Sequence, residues 1–241
     1  DAKRGAIGAV IAEPMQGRGG SRPAPAGWLA GLRERCDRFG ALLIFDEIFT
    51  GFGRTGAPFA FVAEAVEPDL ICVGKALGGG WPIAACLGRS AVMSAWGPAT
   101  GEALHTSTFL GHPVACAAAV ETLRVIDDEG LVEAARDGGA WMISALRDRL
   151  DGVDGVVEVR GRGLLLGIEL ASGTTIADTA GARVWRTVVD CMRRGVITLP
   201  CAPDGGVLQL TPPATLTHAQ RACLVDTVAT AVRRTLAKET Q

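Results

Sequence analysis

The chain has 241 residues, with 24 Lys and Arg against 26 Asp and Glu (net charge −2), and 48% of its residues are hydrophobic. That balance describes a globular chain long enough for one large or two small domains, without the basic excess that nucleic acid or an anionic membrane surface would call for. No apolar run reaches the ~18 residues of a membrane-spanning helix, and Asp1-Ala2-Lys3-Arg4 does not read as a secretory signal.

Ile7–Ala12 is a β-branched apolar run that ends at Glu13-Pro14, which predicts a strand closed by a turn. A Gly/Pro/Arg loop follows. From Trp28 to Phe39 the apolar residues fall at 28, 29, 32, 36 and 39, a helical spacing, with Gly40 where a C-cap belongs. Ala41–Phe45 reads as a fully apolar strand stopping at Asp46-Glu47, Asp69–Val73 as a third ending at Gly74-Lys75, and Ile83–Leu87 as a fourth. Continuous apolar strands separated by a helix predict a parallel sheet covered on both faces.

Pro113–Ile126 and Leu131–Leu150 carry long helical patterns, the first with Pro at its opening position. Beyond Asp151 the texture changes to short strands (156–159, 164–170, 196–199, 207–210) interspersed with helices near 182–194 and 217–236. This predicts an α+β second domain beginning near residue 129. The chain starts without Met and runs at once into a strand, so a piece of a longer chain is expected. Seven dispersed Cys with no C-x-x-C spacing predict reduced thiols and a cytoplasmic setting.

Ligands of open α/β sheets gather beyond the carboxyl ends of the strands, where Glu13, Asp46-Glu47 and Lys75 stand. A carboxylate and a lysine there are either a chemical pair or a structural salt bridge, and spacing does not separate the two. Several other motifs fail on context. A P-loop needs G-x-x-x-x-G-K-[ST], but Asp69 holds the first Gly position before Gly74-Lys75 and Ala76 follows. Gly51-Phe-Gly53-Arg-Thr-Gly56 matches a dinucleotide fingerprint by letter, yet it trails its strand and meets Pro58 where a helix should run. His105, His112 and His218 have no zinc spacing, and no G-x-S-x-G elbow occurs. Pyridoxal phosphate chemistry uses the remaining pieces: a lysine forms a Schiff base with the cofactor aldehyde, and a carboxylate pairs with the pyridine nitrogen.

Six ordered stretches carry a resemblance. They are Glu13-Pro-Met-Gln-Gly-Arg-Gly-Gly20, Leu43-Ile-Phe-Asp-Glu-Ile-Phe-Thr-Gly-Phe-Gly-Arg-Thr-Gly56, Pro68-Asp-Leu-Ile-Cys-Val-Gly-Lys-Ala-Leu-Gly-Gly-Gly80, His105-Thr-Ser-Thr-Phe109 through Pro113, Arg160-Gly-Arg-Gly-Leu164 and Thr211-Pro-Pro213. Together they resemble the class III (ω-amino acid type) aminotransferases among the fold type I pyridoxal phosphate enzymes, over the C-terminal half to two-thirds of a typical member.

The resemblance implies an α/β fold: a mostly parallel sheet in residues 1–128, the remainder of a cofactor-binding large domain, and a smaller C-terminal α+β domain in 129–241. It implies that Lys75 holds pyridoxal 5'-phosphate, Asp46 pairs with the ring nitrogen, Ile48 lies against a ring face, and Thr108 reaches the cofactor phosphate of the neighbouring subunit in a homodimer. Gly51, Gly53 and Gly56 are expected to shape backbone, and Arg160 and Arg162 to be structural. The implied activity is transfer of an amino group between an amine or amino acid and a keto acid through a Lys75 aldimine. An aminomutase or decarboxylase of the same fold shares the Lys/Asp pair. An inactive piece that needs its N-terminal segment is a third reading, and the isolated chain is expected to bind cofactor poorly.

Departures from the family pattern concern the substrate. Phe49 stands where Gln is common, Gln209 where many members grip the substrate carboxylate with Arg, and Arg18 where some carry a Glu that pairs with that Arg. A neutral amide lacks the bidentate, charge-assisted grip of a guanidinium. Arg18 is therefore expected to supply the displaced positive charge, with Gln209 beside it in substrate binding; a solvated loop arginine is the plainer alternative.

Overall fold

The computed structural model describes residues 7–98, 101 and 105–237; the opening Asp1–Arg4 stretch lies outside them. In chain order the elements are β1 (Ala9–Ala12), β2 (Met15–Gln16), β3 (Arg22–Pro23), α1 (Trp28–Phe39), β4 (Leu42–Asp46), β5 (Leu70–Val73), β6 (Ala85–Gly88), α2 (Ser90–Ser94) and α3 (Pro113–Asp128). There follow α4 (Leu131–Leu150), β7 (Val156–Arg162), β8 (Leu165–Leu170), α5 (Ala180–Arg193), β9 (Leu199–Cys201), β10 (Val207–Leu210) and α6 (His218–Ala237). Short 3-10 turns cover Ala60–Glu64 and Lys75–Gly78. Two compact units result: the described residues up to Pro14 with 25–52 and 59–129, and residues 15–24 and 53–58 with 130 onward.

In the first unit a four-stranded sheet has the order β1-β4-β5-β6. β1, β4 and β5 run parallel, in register from Ala9↔Leu42 to Ala12↔Phe45 and from Ile44↔Leu70 to Asp46↔Cys72. α1 forms over the residues that its spacing predicts. It buries Leu29 and Cys36 and ends at Gly40, whose φ of 65° is the left-handed conformation of a glycine C-cap. Arg33 of α1 reaches Asp69 at 2.7 Å, and the Leu43 N–H donates to the same carboxylate oxygen at 2.8 Å. This acid therefore ties the helix to the entries of β4 and β5.

One expectation is corrected here. The fourth strand runs antiparallel to β5, pairing Val73↔Ala85 through Leu70↔Gly88. The connection over 74–84 holds only a single 3-10 turn, too little for the crossover that a parallel neighbour requires. Among the described residues β6 is exposed throughout, and Ile11 and Leu87 are 63% and 50% exposed.

The second unit is built on an antiparallel sheet in the order β7-β8-β10-β9. Met142, Leu146 and Leu150 of α4, Val184 and Val188 of α5, and Val225, Val228 and Val232 of α6 bury a common core with Leu166, Ile168, Leu208 and Leu210. Residues 17–21 lie along the other side of this sheet. A Cβ on Gly167 would stand 3.1 Å from Ser21 Cβ, and Arg160 donates from Nε to the Gly20 carbonyl at 2.9 Å. Arg160 is buried and ion-paired with Glu158 and Glu169.

The strand expected at 196–199 begins only at Leu199. The Val196 N–H is already taken by the Cys191 carbonyl as α5 ends, so that residue closes the helix instead of opening a strand. Pro200 is tolerated within β9 because that strand is an edge. Among the described residues no helix is long and apolar enough to cross a membrane, and no cluster of three or more potential metal ligands occurs.

Candidate active site

β4 and β5 are parallel neighbours, so their carboxyl ends open on the same edge of the sheet. The ladder continues one step past Asp46, where the Glu47 N–H donates to the Cys72 carbonyl at 2.9 Å. Asp46 is half-buried, and its Oδ1 accepts from the Ile48 N–H at 2.9 Å, which fixes the carboxylate at the mouth of the strand. On the neighbouring strand the chain leaves Val73 through an extended Gly74 and turns at Lys75, whose φ is 42°. A non-glycine residue in the left-handed region costs on the order of 1–3 kcal/mol and marks a position held by its surroundings.

Those surroundings are identifiable. Leu77, two residues on, is buried with Val73 and with Ala119 of α3, which anchors the turn. Lys75 itself is exposed, and its Nζ lies 4.8 Å from the centroid of the Phe49 ring, within cation–π range. A Cβ added to Gly74 would stand 3.5 Å from Ile48 Cγ2. Asp46, Ile48, Phe49 and Lys75 therefore gather at one edge.

Two participants carry no role in the sequence reading. Phe49 figured there only as a lost glutamine, whereas its ring faces the lysine amine. Glu47, beside Asp46, is fully buried; it takes the Thr50 hydroxyl on Oε2 and the Phe61 N–H on Oε1 at 3.0 Å. Burial pushes its pKa up, Thr50 and the Phe61 and Ala60 amides pull it back, and the charge of Asp46 adds a small upward push. The Asp-Glu pair at a strand end was the available signal, but which acid turns inward follows from the loop after it. Gly51 lets that loop close: a Cβ there would come within 2.8 Å of the Glu47 carbonyl oxygen.

Thr108 is placed in an exposed turn ahead of α3, whose first turn is capped by His112 Nδ1 accepting from the Ala115 N–H at 3.3 Å. No described contact joins Thr108 to Asp46 or Lys75. Within the second unit, Gly56 has φ 83°, and a Cβ there would lie 2.8 Å from Arg136 Cα on α4, so close packing excludes a side chain.

Arg18 and Gln209, 191 residues apart in sequence, meet in the second unit: Arg18 Nη1 donates to Gln209 Oε1 at 3.1 Å, and Nη2 to the Pro200 carbonyl at 2.7 Å. Gln209 is buried, and its Nε2 donates to the Gly17 carbonyl at 2.8 Å and to Ser21 Oγ at 3.0 Å. Strand alternation explains this. Leu208 and Leu210 turn to the helical core, which leaves Gln209 facing residues 17–21. The exposed Arg18 guanidinium is thus held by two acceptors, with N–H groups to spare.

The class-III aminotransferase family model matches residues 1–232. Acetylornithine aminotransferase of Corynebacterium efficiens is 43% identical over 210 residues, covering 87% of this chain and 47% of its own length. The Methanosarcina acetivorans enzyme of the same name is 41% identical over 218 residues, covering 90% and 50%. In three dimensions the chain is similar to an ornithine aminotransferase from Toxoplasma gondii that holds pyridoxal phosphate at partial occupancy. The TM-score is 0.86 at 34% identity, over 97% of this chain and 53% of that one. The fold is that of the fold type I pyridoxal phosphate aminotransferases, and the chain spans about half the length of the curated relatives it matches. With a family model matched over nearly its whole length, the chain belongs to the class-III aminotransferases.

Proposed function

We propose that the chain serves a pyridoxal phosphate-dependent aminotransferase that moves an amino group between an amine or amino acid and a keto acid. The observation that carries this reading is the meeting of Asp46 and the Lys75 turn at the ends of adjacent parallel strands, with Ile48 packed against Gly74 between them. The donor set suits the cofactor: an amine, an acid and an apolar side chain on one edge. Asp46 takes its one described hydrogen bond on Oδ1, which leaves Oδ2 for a protonated ring nitrogen.

When bound, pyridoxal phosphate supplies an electron sink for the substrate carbon that bears the amino group. Asp46 keeps the proton on the pyridine nitrogen, the condition for that sink. Lys75 anchors the cofactor and then accepts and returns the substrate proton at Nζ. The Phe49 ring steadies the charged amine between these tasks. Ile48 would exclude water from a ring face, and Thr108 would donate its hydroxyl to the cofactor phosphate of the neighbouring subunit. Arg18, oriented by Gln209, takes a substrate carboxylate. A cytoplasmic homodimer accords with this reading and with seven free cysteines.

The test uses the full-length protein. Borohydride reduction followed by peptide mapping is expected to leave a pyridoxyl group on Lys75, and an added keto acid should be aminated in step with loss of amine from the donor. Lys75→Ala should lose the adduct and lower turnover by ~10²–10⁴-fold or more. A pyridoxyl group on another lysine, or carbon dioxide as the product, would contradict the reading.

A further inference from the structure

Every polar group of Glu47 is committed, and each reaches a different residue of the first unit. Its N–H donates to the Cys72 carbonyl on β5 at 2.9 Å, and its carbonyl accepts from the Gly51 N–H at 2.9 Å. Of the carboxyl oxygens, Oε2 takes the Thr50 hydroxyl and Oε1 the Phe61 N–H at 3.0 Å. The residue is fully buried, and further protein packed around it can only bury it more. An apolar side chain would occupy such a place without the cost of desolvating an acid. What the acid adds is two acceptor oxygens that fix two donors at once.

Only Ile48 and Phe49 lie between Glu47 and Thr50, and they are the side chains that meet the lysine turn. Ile48 Cγ2 would stand 3.5 Å from a Cβ on Gly74, and the Phe49 ring centroid is 4.8 Å from Lys75 Nζ. The bond from Gly51 to the Glu47 carbonyl closes one helical turn around this pair of residues. Beyond the loop, Phe59 meets Phe52 edge-on at 5.4 Å, and both pack against Val73, Leu77 and Ala119. Val73 and Leu77 flank Lys75. The Phe61 N–H therefore joins to the Glu47 carboxyl the same stretch that supports the lysine turn.

We propose that Glu47 is a positioning residue for Lys75: by holding Thr50 and Phe61 on one buried carboxyl group, it sets where Ile48 and Phe49 stand against the lysine turn. The inference rests on the reading of Lys75 as the cofactor lysine. Glu47 acts through those two side chains and takes no part in bond making. The role lies in its acceptor atoms. Glu47→Gln keeps a carbonyl oxygen for the Phe61 amide and turns an amide donor toward the Thr50 oxygen, so it preserves the placement. Glu47→Ala removes both holds and frees the loop.

The test compares Glu47→Ala, Glu47→Gln and Asp69→Asn in the full-length protein saturated with pyridoxal phosphate. Asp69 stands at the entry of β5, at the other end of the strand from Lys75, so its variant destabilises the same sheet away from the loop. The readouts are the circular dichroism that the protein induces in the cofactor's absorption band, and kcat against KM. Glu47→Ala is expected to lose most of that band and to lower kcat by ~10–100-fold, with KM for carboxylate substrates within about twofold of wild type. Glu47→Gln and Asp69→Asn should keep both readouts within about twofold. Thr50→Val, which removes one donor at nearly constant shape, should move both in the direction of Glu47→Ala but less far, and it decides alone if Glu47→Ala does not fold. A wild-type band and kcat in Glu47→Ala or in Thr50→Val would overturn the proposal. So would Glu47→Gln moving as far as Glu47→Ala, which would assign the effect to charge, or Asp69→Asn reproducing it, which would assign it to lost stability. With the wild-type pyridoxyl group mapped to Lys75, those results end this inference alone; a pyridoxyl group on another lysine ends the underlying reading as well.

Discussion

The amide of Glu47 donates to the carbonyl of Cys72 at 2.9 Å. The residue after Asp46 is thereby tied to the strand that ends just before Gly74 and Lys75. An acid and an amine on adjacent parallel strands thus have their approach set by backbone hydrogen bonding, which neither side chain needs to supply.

Glu47 is expected to make stability pH-dependent. Its pKa is raised above the ordinary 4.5 by burial, so the folded chain holds this proton more tightly than the unfolded one. The contribution is complete below 4.5 and falls as pH rises through the higher folded value. Glu47→Gln should flatten that portion of a melting-temperature-against-pH profile. Glu47→Ala, which strips acceptors from Thr50 and Phe61, should cost about 1–3 kcal/mol by denaturant titration. An unchanged profile in Glu47→Gln would remove Glu47 as the source.

Asp69 is expected to act with the opposite sign. Burial alone would raise its pKa, but the Leu43 N–H, Arg33 and Arg89 outweigh that and hold it below the usual carboxylate range. Its contribution is present above 3.8 and is lost as pH falls through the folded value. Asp69→Asn should cost about 1.5–3 kcal/mol at neutral pH and little once the wild-type acid is protonated. Equal losses at both pH values would contradict this.

Gly56→Ala should destabilise by about 1–3 kcal/mol, because φ is 83° and the new methyl would press on Arg136 Cα. The same change at Gly8, where a Cβ would meet nothing within 4 Å, is the control and should leave the melting temperature nearly unchanged.

Arg18→Ala should raise KM for carboxylate substrates more than it lowers kcat. Because Gln209 orients that guanidinium, Gln209→Ala should shift the same parameter, and the double variant should fall short of the sum. Strict additivity would mean that the Arg18–Gln209 hydrogen bond plays no part in substrate affinity.

Local rules reach some of these features and stop short of others. α1 was legible because five apolar positions at helical spacing lead to a glycine that can take positive φ at Gly40. β10 was legible as a short strand because three of its four residues, Val207, Leu208 and Leu210, are apolar. The direction of β6 was not, since an apolar run carries no orientation and only the short 74–84 connection decides it. Asp46 and Lys75 stand out because both follow apolar strands at the ligand edge, whereas their neighbour Glu47 is buried by a loop whose closure depends on Gly51 and Thr50. Arg18 and Gln209 were noticeable only as departures from the family pattern. Their hydrogen bond joins positions 191 residues apart, a relationship no local spacing encodes.

The most direct measurement is an experimental structure of the full-length protein with pyridoxal phosphate. The account predicts the Lys75 nitrogen bonded to the cofactor and an Asp46 carboxylate oxygen within hydrogen-bond distance of the ring nitrogen. A cofactor seated on a different lysine, or a ring nitrogen that faces some group other than Asp46, would contradict it.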